Sequence, residues 1–290
     1  MYKRQVVIAL SHDGESGKLE YNIADYHRAP TVSILLIVFL AAFLIFGGKK
    51  GLKSLIALII SVLLIAYVLL PLSLAGFDPL LVSVFICLAT TCTTMYFVGG
   101  WSKKSLAAMI GTTCGVICAG LAAHLAISFA PLTGLSSDEA QLLRGSVLVK
   151  SESFYQGLLA AGMLIGALGV IMDVGVSIAS AVAEVARIGE EQSQLGDKLD
   201  AKKLYEAGMN VGRDIMGTMT NTLILAYTGS ALPLLLLVSQ IPAGKLVNLD
   251  LVATEVVSAI SGSLGLVLTI PMTALAAARL MSTAVEKKEK

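Results

Sequence analysis

Charge is what this sequence has least of. Only 14% of its 290 residues are Asp, Glu, Lys or Arg, against roughly 25% in an ordinary soluble domain. The formal net charge of +1 supplies no basic surface, so no nucleic-acid partner is expected. Cysteine is scarce as well, and Cys87, Cys92, Cys114 and Cys118 are the full set. Their spacing holds no CxxC pair and brings no histidine with it, so no metal site is expected. HExxH, GxSxG and P-loop patterns are missing, which removes the zincin, hydrolase-elbow and phosphate-loop readings. Asp173 follows Met172 and Asp214 follows Arg213, which is not the tyrosine or glycine context of an intramembrane aspartyl protease. Nothing pairs a nucleophile with a base, so the chain reads as a non-enzyme that needs no cofactor.

What the sequence has instead is apolar length. It is 56% hydrophobic with a mean hydropathy of +0.82. Several runs reach the ~20 residues that a spanning helix needs. Seven are expected, at about 31–47, 54–75, 79–99, 105–130, 156–180, 215–239 and 252–278. The fold class is therefore an all-α polytopic membrane protein whose first partner is the lipid bilayer. Lys and Arg set the orientation. With the N-terminus outside, the inner segments hold fourteen of them and the outer segments seven, so N-out, C-in is expected. Pro233 and Pro271 fall inside expected spans, where neighbouring helices can repair the lost backbone bond.

The first thirty residues are different. Residues 1–5, MYKRQ, back-translate to a start codon followed by a stretch resembling a sequencing-library transposase adapter, and are expected to be foreign. Residues 6–29 read as two strands around a Gly- and Asp-bearing loop. Two strands alone are marginal in water, so they are expected to be the remnant of an extracytoplasmic β-rich domain whose beginning is missing. That outer domain is where a protein partner would bind. The helical domain follows over 30–280, and a charged cytoplasmic tail over 281–290. Within it, residues 184–213 form an inner, charged segment, with DAKKLYEAG as an amphipathic stretch at the membrane surface.

The polar residues inside the apolar runs carry the functional question. A carboxylate at the centre of a bilayer costs at least roughly 2.5–3.5 kcal/mol and is by default a functional candidate. Asp173 lies about 15 Å deep at 1.5 Å per residue. Gly162, Gly166, Gly169, Asp173, Ser177, Ser180 and Glu184 follow at intervals of three and four and so share one helix face. That face is expected to meet protein or water rather than lipid. On the next helix Asp214, Thr218 and Asn221 share a face, with Tyr227 further along. By rise, Asn221 and Tyr227 bracket the level of Asp173, and a polar patch of Asp173, Ser177, Asn221 and Tyr227 is expected in mid-membrane. Arg213 is the expected counter-ion at the inner mouth, for either Glu184 or Asp214. Glu255 opens a third stripe, with Ser258, Gly262, Gly265 and Thr269, near the outer end of the last helix. His124 either relays protons or bonds a neighbouring helix.

Three stretches carry a family resemblance: GALGVIMDVGVSIASAVAEV (166–185), GRDIMGTMTNTLILAYTGSALPLLLL (212–237) and SGSLGLVLTIPMTAL (261–275). In these the chain resembles the YibE/F-like family of bacterial multi-pass membrane proteins. IADYHR, an apolar helix and then GGKKGLKSL resemble its longer, YibE-like branch. The resemblance implies the bacterial cytoplasmic membrane and an N-terminal outer domain, but no activity. The segment around Asp173 is also similar to the aspartate-bearing helix of RND and SecD-type exporters, where that residue exchanges a proton. Two readings follow. The first is a solute permease or exporter, coupled to a proton or cation through Asp173, with a small solute or ion as partner. The second is a non-transporting scaffold or accessory factor in export or envelope assembly.

Overall fold

The computed structural model describes residues 6–12, 19–145, 151–193, 200–232, 236, 242–246 and 248–288. The foreign-looking residues 1–5, the hairpin loop 13–18, Pro233 and the last two residues of the tail lie outside them. The chain divides into two compact units, Met1–Leu55 and Ile56–Lys290.

The first unit opens with β1 (Val6–His12) and β2 (Leu19–Tyr26), paired antiparallel with a shift of register between Val7 and Ile8. Helix α1 (Ala29–Leu64) follows. Gly48 interrupts it with φ 52° and ψ −137°, a backbone conformation essentially confined to glycine. Two spans were expected on either side of this point. Two helices meet at this kink, inside the apolar stretch Ala29–Leu74 of 46 residues. Near its end the run widens into a π segment, Ile65–Leu69, where the Leu70 N–H donates to Ile65 O. Pro71 supplies the reason: it has no N–H, so the ladder shifts ahead of it. A short α2 (Leu70–Leu74) completes the run.

The second unit takes in the end of α1 from Ile56, the π segment and α2; after them α3 (Pro79–Gly99) starts where the Asp78 carboxylate accepts from the Leu80 N–H at 2.8 Å. It stops at Gly100, with φ 64°. Ser102 caps α4 (Lys103–Phe129) by accepting from the Ser105 N–H at 3.1 Å, and α3 packs against α4. Ser137 caps the short α5 (Asp138–Gly145) through the Ala140 N–H. Then come α6 (Glu152–Ser193), α7 (Ala201–Ser230), the single turn α8 (Ala243–Leu246) and α9 (Asp250–Lys288).

Helices α4, α6 and α9 pack on one another at the centre, with α7 against α6 and α9 and α3 against α4 and α6. Glycine makes the centre possible. A Cβ on Gly115 would lie 2.8 Å from Gly265 O, and one on Gly265 2.6 Å from Gly115 O, so the two backbones touch. Small residues at crossings are how helices approach closely in lipid, where apolar burial alone gives no preference. Ile171 of α6 sits at that crossing, 3.0 Å from either imagined Cβ. Several hydroxyls are satisfied inside their own helix: Thr91 donates to Cys87 O at 2.8 Å, Ser258 to Thr254 O at 2.7 Å and Thr269 to Gly265 O at 2.8 Å.

Five of the described helices are long and apolar enough to cross a membrane: the Ala29–Leu74 run, α3, α4, α6 over Glu152–Gly189, and α9 over Asp250–Ser282. The chain is an integral, multi-pass membrane protein. The expected sixth span, 215–239, begins within α7 and runs on into residues outside the described ones. The amphipathic stretch and the start of that span form one helix, α7, rather than a surface segment and a separate crossing. Its first half carries Lys202, Lys203, Glu206, Arg213 and Asp214.

Candidate functional site

Helix α6 presents two faces. Ile171, Val174, Ile178 and Val182 are almost fully buried. Gly162, Gly166, Gly169, Asp173, Ser177 and Glu184 are exposed on the chain's surface. The expectation that the small, polar stripe turns into the bundle therefore needs correcting. The bulky β-branched face goes inward because α4 and α9 already supply the glycines, and a second small surface would leave voids. The stripe of the last helix does turn inward: Ser258, Gly262, Gly265 and Thr269 are all buried.

Register follows from three contacts between antiparallel helices. A Cβ on Gly166 would lie 2.7 Å from Tyr227 Oη, one on Gly208 2.8 Å from Val182 Cγ2, and one on Gly212 3.3 Å from Ile178 Cδ1. Interpolation puts Asp173 level with Gly217 and Thr218. Asn221 and Tyr227 both lie toward the Ser230 end of it, so they do not bracket it as the helical rise suggested. Thr218 and Asn221 are exposed, as are Arg213 and Asp214. The four-residue patch expected in mid-membrane is thus not an enclosed pocket. Asp173 and Ser177 share an open face of α6, Thr218 and Asn221 an open face of α7, and Tyr227 alone is tucked between helices.

Asp173 takes part in no hydrogen bond or ion pair among the described residues. Thr218 Oγ1 donates to Ile215 O at 2.9 Å. The Tyr227 hydroxyl donates to Met163 O at 3.5 Å; the missing side chain of Gly166 makes room for it.

The inner-mouth charges pair differently from expectation. Glu184 meets Arg187, not Arg213, at 2.6 Å within one helix. Arg213 donates through Nη1 to Asn210 Oδ1 at 3.4 Å. Arg187 was the residue overlooked, although Glu and Arg three apart on a helix are a standard pair. Asp214 has no described partner.

At the other end, Asp250 in the first turn of α9 accepts from Thr133 Oγ1 at 2.5 Å and from the Thr133 N–H at 3.4 Å, tying the loop after α4 to α9. One turn further, Glu255 is partly exposed. It lines a groove between α7 and α9. Asp173 lines neither that groove nor the two at Cys92–Trp101 and Val68–Ile86.

The model of the YibE/F-like protein family matches residues 35–283. No curated protein and no solved structure matches the chain.

Proposed function

The chain belongs to the YibE/F-like family, and from that premise we propose that it is a permease or exporter of a small solute or ion in the bacterial cytoplasmic membrane. Coupling is to a proton or cation taken up by Asp173. The observation that carries this is a carboxyl with no partner among the described residues, on the surface of a helix apolar enough to span. With no arginine, asparagine or lysine bound to it, the carboxylate is free to exchange a proton or bind a cation. Left ionised against lipid it would cost at least roughly 2.5–3.5 kcal/mol, so its face is wetted or covered when the protein works. Ser177 on the same face and Thr218 at the same level are the groups that would complete the site, with Asn221 and Tyr227 toward the far end. Seven crossings, N-out and C-in, and an upstream outer domain belong to the same reading.

One observation favours the scaffold alternative: none of the three grooves described above reaches Asp173. There the open stripe would seat a partner's helix and nothing would pass.

Growth and uptake profiling of a deletion strain separates the two. Wild type should restore a solute-dependent phenotype, and Asp173→Asn should lose it at normal membrane abundance, with Asn221→Ala weakened less. Full restoration by Asp173→Asn removes coupling through this carboxyl. Retained assembly of an envelope complex with no solute phenotype identifies the scaffold.

A further inference from the structure

The groove between α7 and α9 has a volume of about 270 Å³. Its walls are apolar, formed among others by Ile224, Val256 and Ile260, and three polar side chains break them: Glu255, Thr228 and Tyr227. Among the described residues of the lining, Glu255 is the only charged one. Among the described residues it makes no ion pair and accepts no hydrogen bond.

That combination selects a ligand by elimination. A hydrated metal ion would find one carboxylate and then hydrocarbon, far short of the six or more oxygens that Ca²⁺ or Mg²⁺ requires. An anion would meet Glu255 directly. A neutral apolar molecule would leave a carboxylate desolvated and uncompensated. A cationic head on an apolar body satisfies every wall. Tyr227 adds a second recognition element, since aromatic faces attract ammonium groups. Its ring is held in place by the hydroxyl bond to Met163 O at 3.5 Å. The volume falls just below the 300–1,000 Å³ usual for ligand clefts, so the body is small.

We propose that the α7–α9 groove binds a small lipophilic amine in its protonated form, the ammonium against Glu255 and the Tyr227 ring and the apolar body along Ile224, Val256 and Ile260. An amine carried on a phospholipid headgroup shares the ammonium, but among the described residues the lining holds no Lys or Arg to meet its phosphate. A free amine partitioned into the bilayer is the better match. The site uses none of the residues assigned to coupling except Tyr227, and it stands whether or not Asp173 moves protons.

The test is equilibrium binding to the full chain in phosphatidylcholine nanodiscs, with octylammonium as probe and octanol and octanoate as controls. Octylammonium should bind saturably, at least roughly tenfold tighter than octanol, and octanoate not at all. Glu255→Gln should bring octylammonium down to the level of octanol. Tyr227→Phe should keep the binding and Tyr227→Leu weaken it. Ile260→Trp, which fills the groove but keeps the carboxylate, should abolish it. Asp173→Asn should bind like wild type. Equal affinities for octylammonium and octanol, or an unaffected Glu255→Gln, overturn the proposal. Displacement of the probe by phosphatidylethanolamine in the nanodisc reassigns the groove to a lipid headgroup and also overturns it.

Discussion

Asp173 and Gly265 fall in stripes of the same kind, yet their surroundings are opposite. Gly265 faces Gly115 backbone to backbone, while Gly162 and Gly169, in the stripe of Asp173, have nothing within 4 Å of an added Cβ. Overpacking costs typically ~1–3 kcal/mol, and glycine inside a helix is about 0.5–1 kcal/mol worse than alanine. Gly265→Ala and Gly115→Ala should therefore lower the thermal midpoint of the purified protein, whereas Gly162→Ala and Gly169→Ala should leave it unchanged or raise it slightly. The residues of both stripes were legible from their spacing. Which stripe turns inward was not, because a three–four repeat shows which side chains share a face but not what lies opposite. That depended on Gly115, two helices away in sequence. The partner of Glu184 was missed for a different reason: Arg187 is local, and a longer-range partner was sought.

At the scale of elements, α7 is docked by its own glycines. A Cβ on Gly208 would come within 2.8 Å of Val182 and 2.9 Å of Ala274, while Gly217 has nothing within 4 Å. Gly208→Val should loosen α7 from α6 and α9 and expose its first half to protease in mild detergent, and Gly217→Val should not. Gly48 offers a second test. Its φ of 52° with ψ −137° is strained for any residue with a side chain, by about 1–3 kcal/mol. Gly48→Ala should straighten the break or destabilise it, read as a change in spin-label distance between positions 40 and 56. The caps at Ser102 and Ser137 and the stop at Gly100 could be read from side-chain chemistry. The π segment before Pro71 could not, since a proline foretells a disturbed ladder without saying whether the helix bends, ends or widens.

For the whole molecule, composition alone indicated a multi-pass membrane protein, because scarce charge and long apolar runs leave few alternatives. The number of crossings is harder to read. Five described helices qualify by length and hydropathy, one of them a pair joined at the Gly48 kink, and the expected sixth span runs beyond the described residues. The excess of Lys and Arg in the inner segments predicts a C-terminus in the cytoplasm. A reporter fused after Lys290 should be active only as the cytoplasmic type, and one inserted at residues 146–150 only as the external type; the reverse pattern would invert the orientation. The open face of α6 is a property of the isolated chain, and its meaning depends on whether its carboxyl titrates.

Labelling of the full-length protein in native membranes with a hydrophobic carbodiimide, read by peptide mass spectrometry, addresses that directly. The reagent couples to protonated carboxyl groups that it reaches through the lipid. Asp173 should be modified, the modification should fall as the pH rises, and a bound coupling cation should protect it. An Asp173 that stays unlabelled at every pH, in membranes where the reagent labels a known lipid-facing carboxyl of a control protein, would mean a carboxyl sealed into a helix contact and would contradict the account.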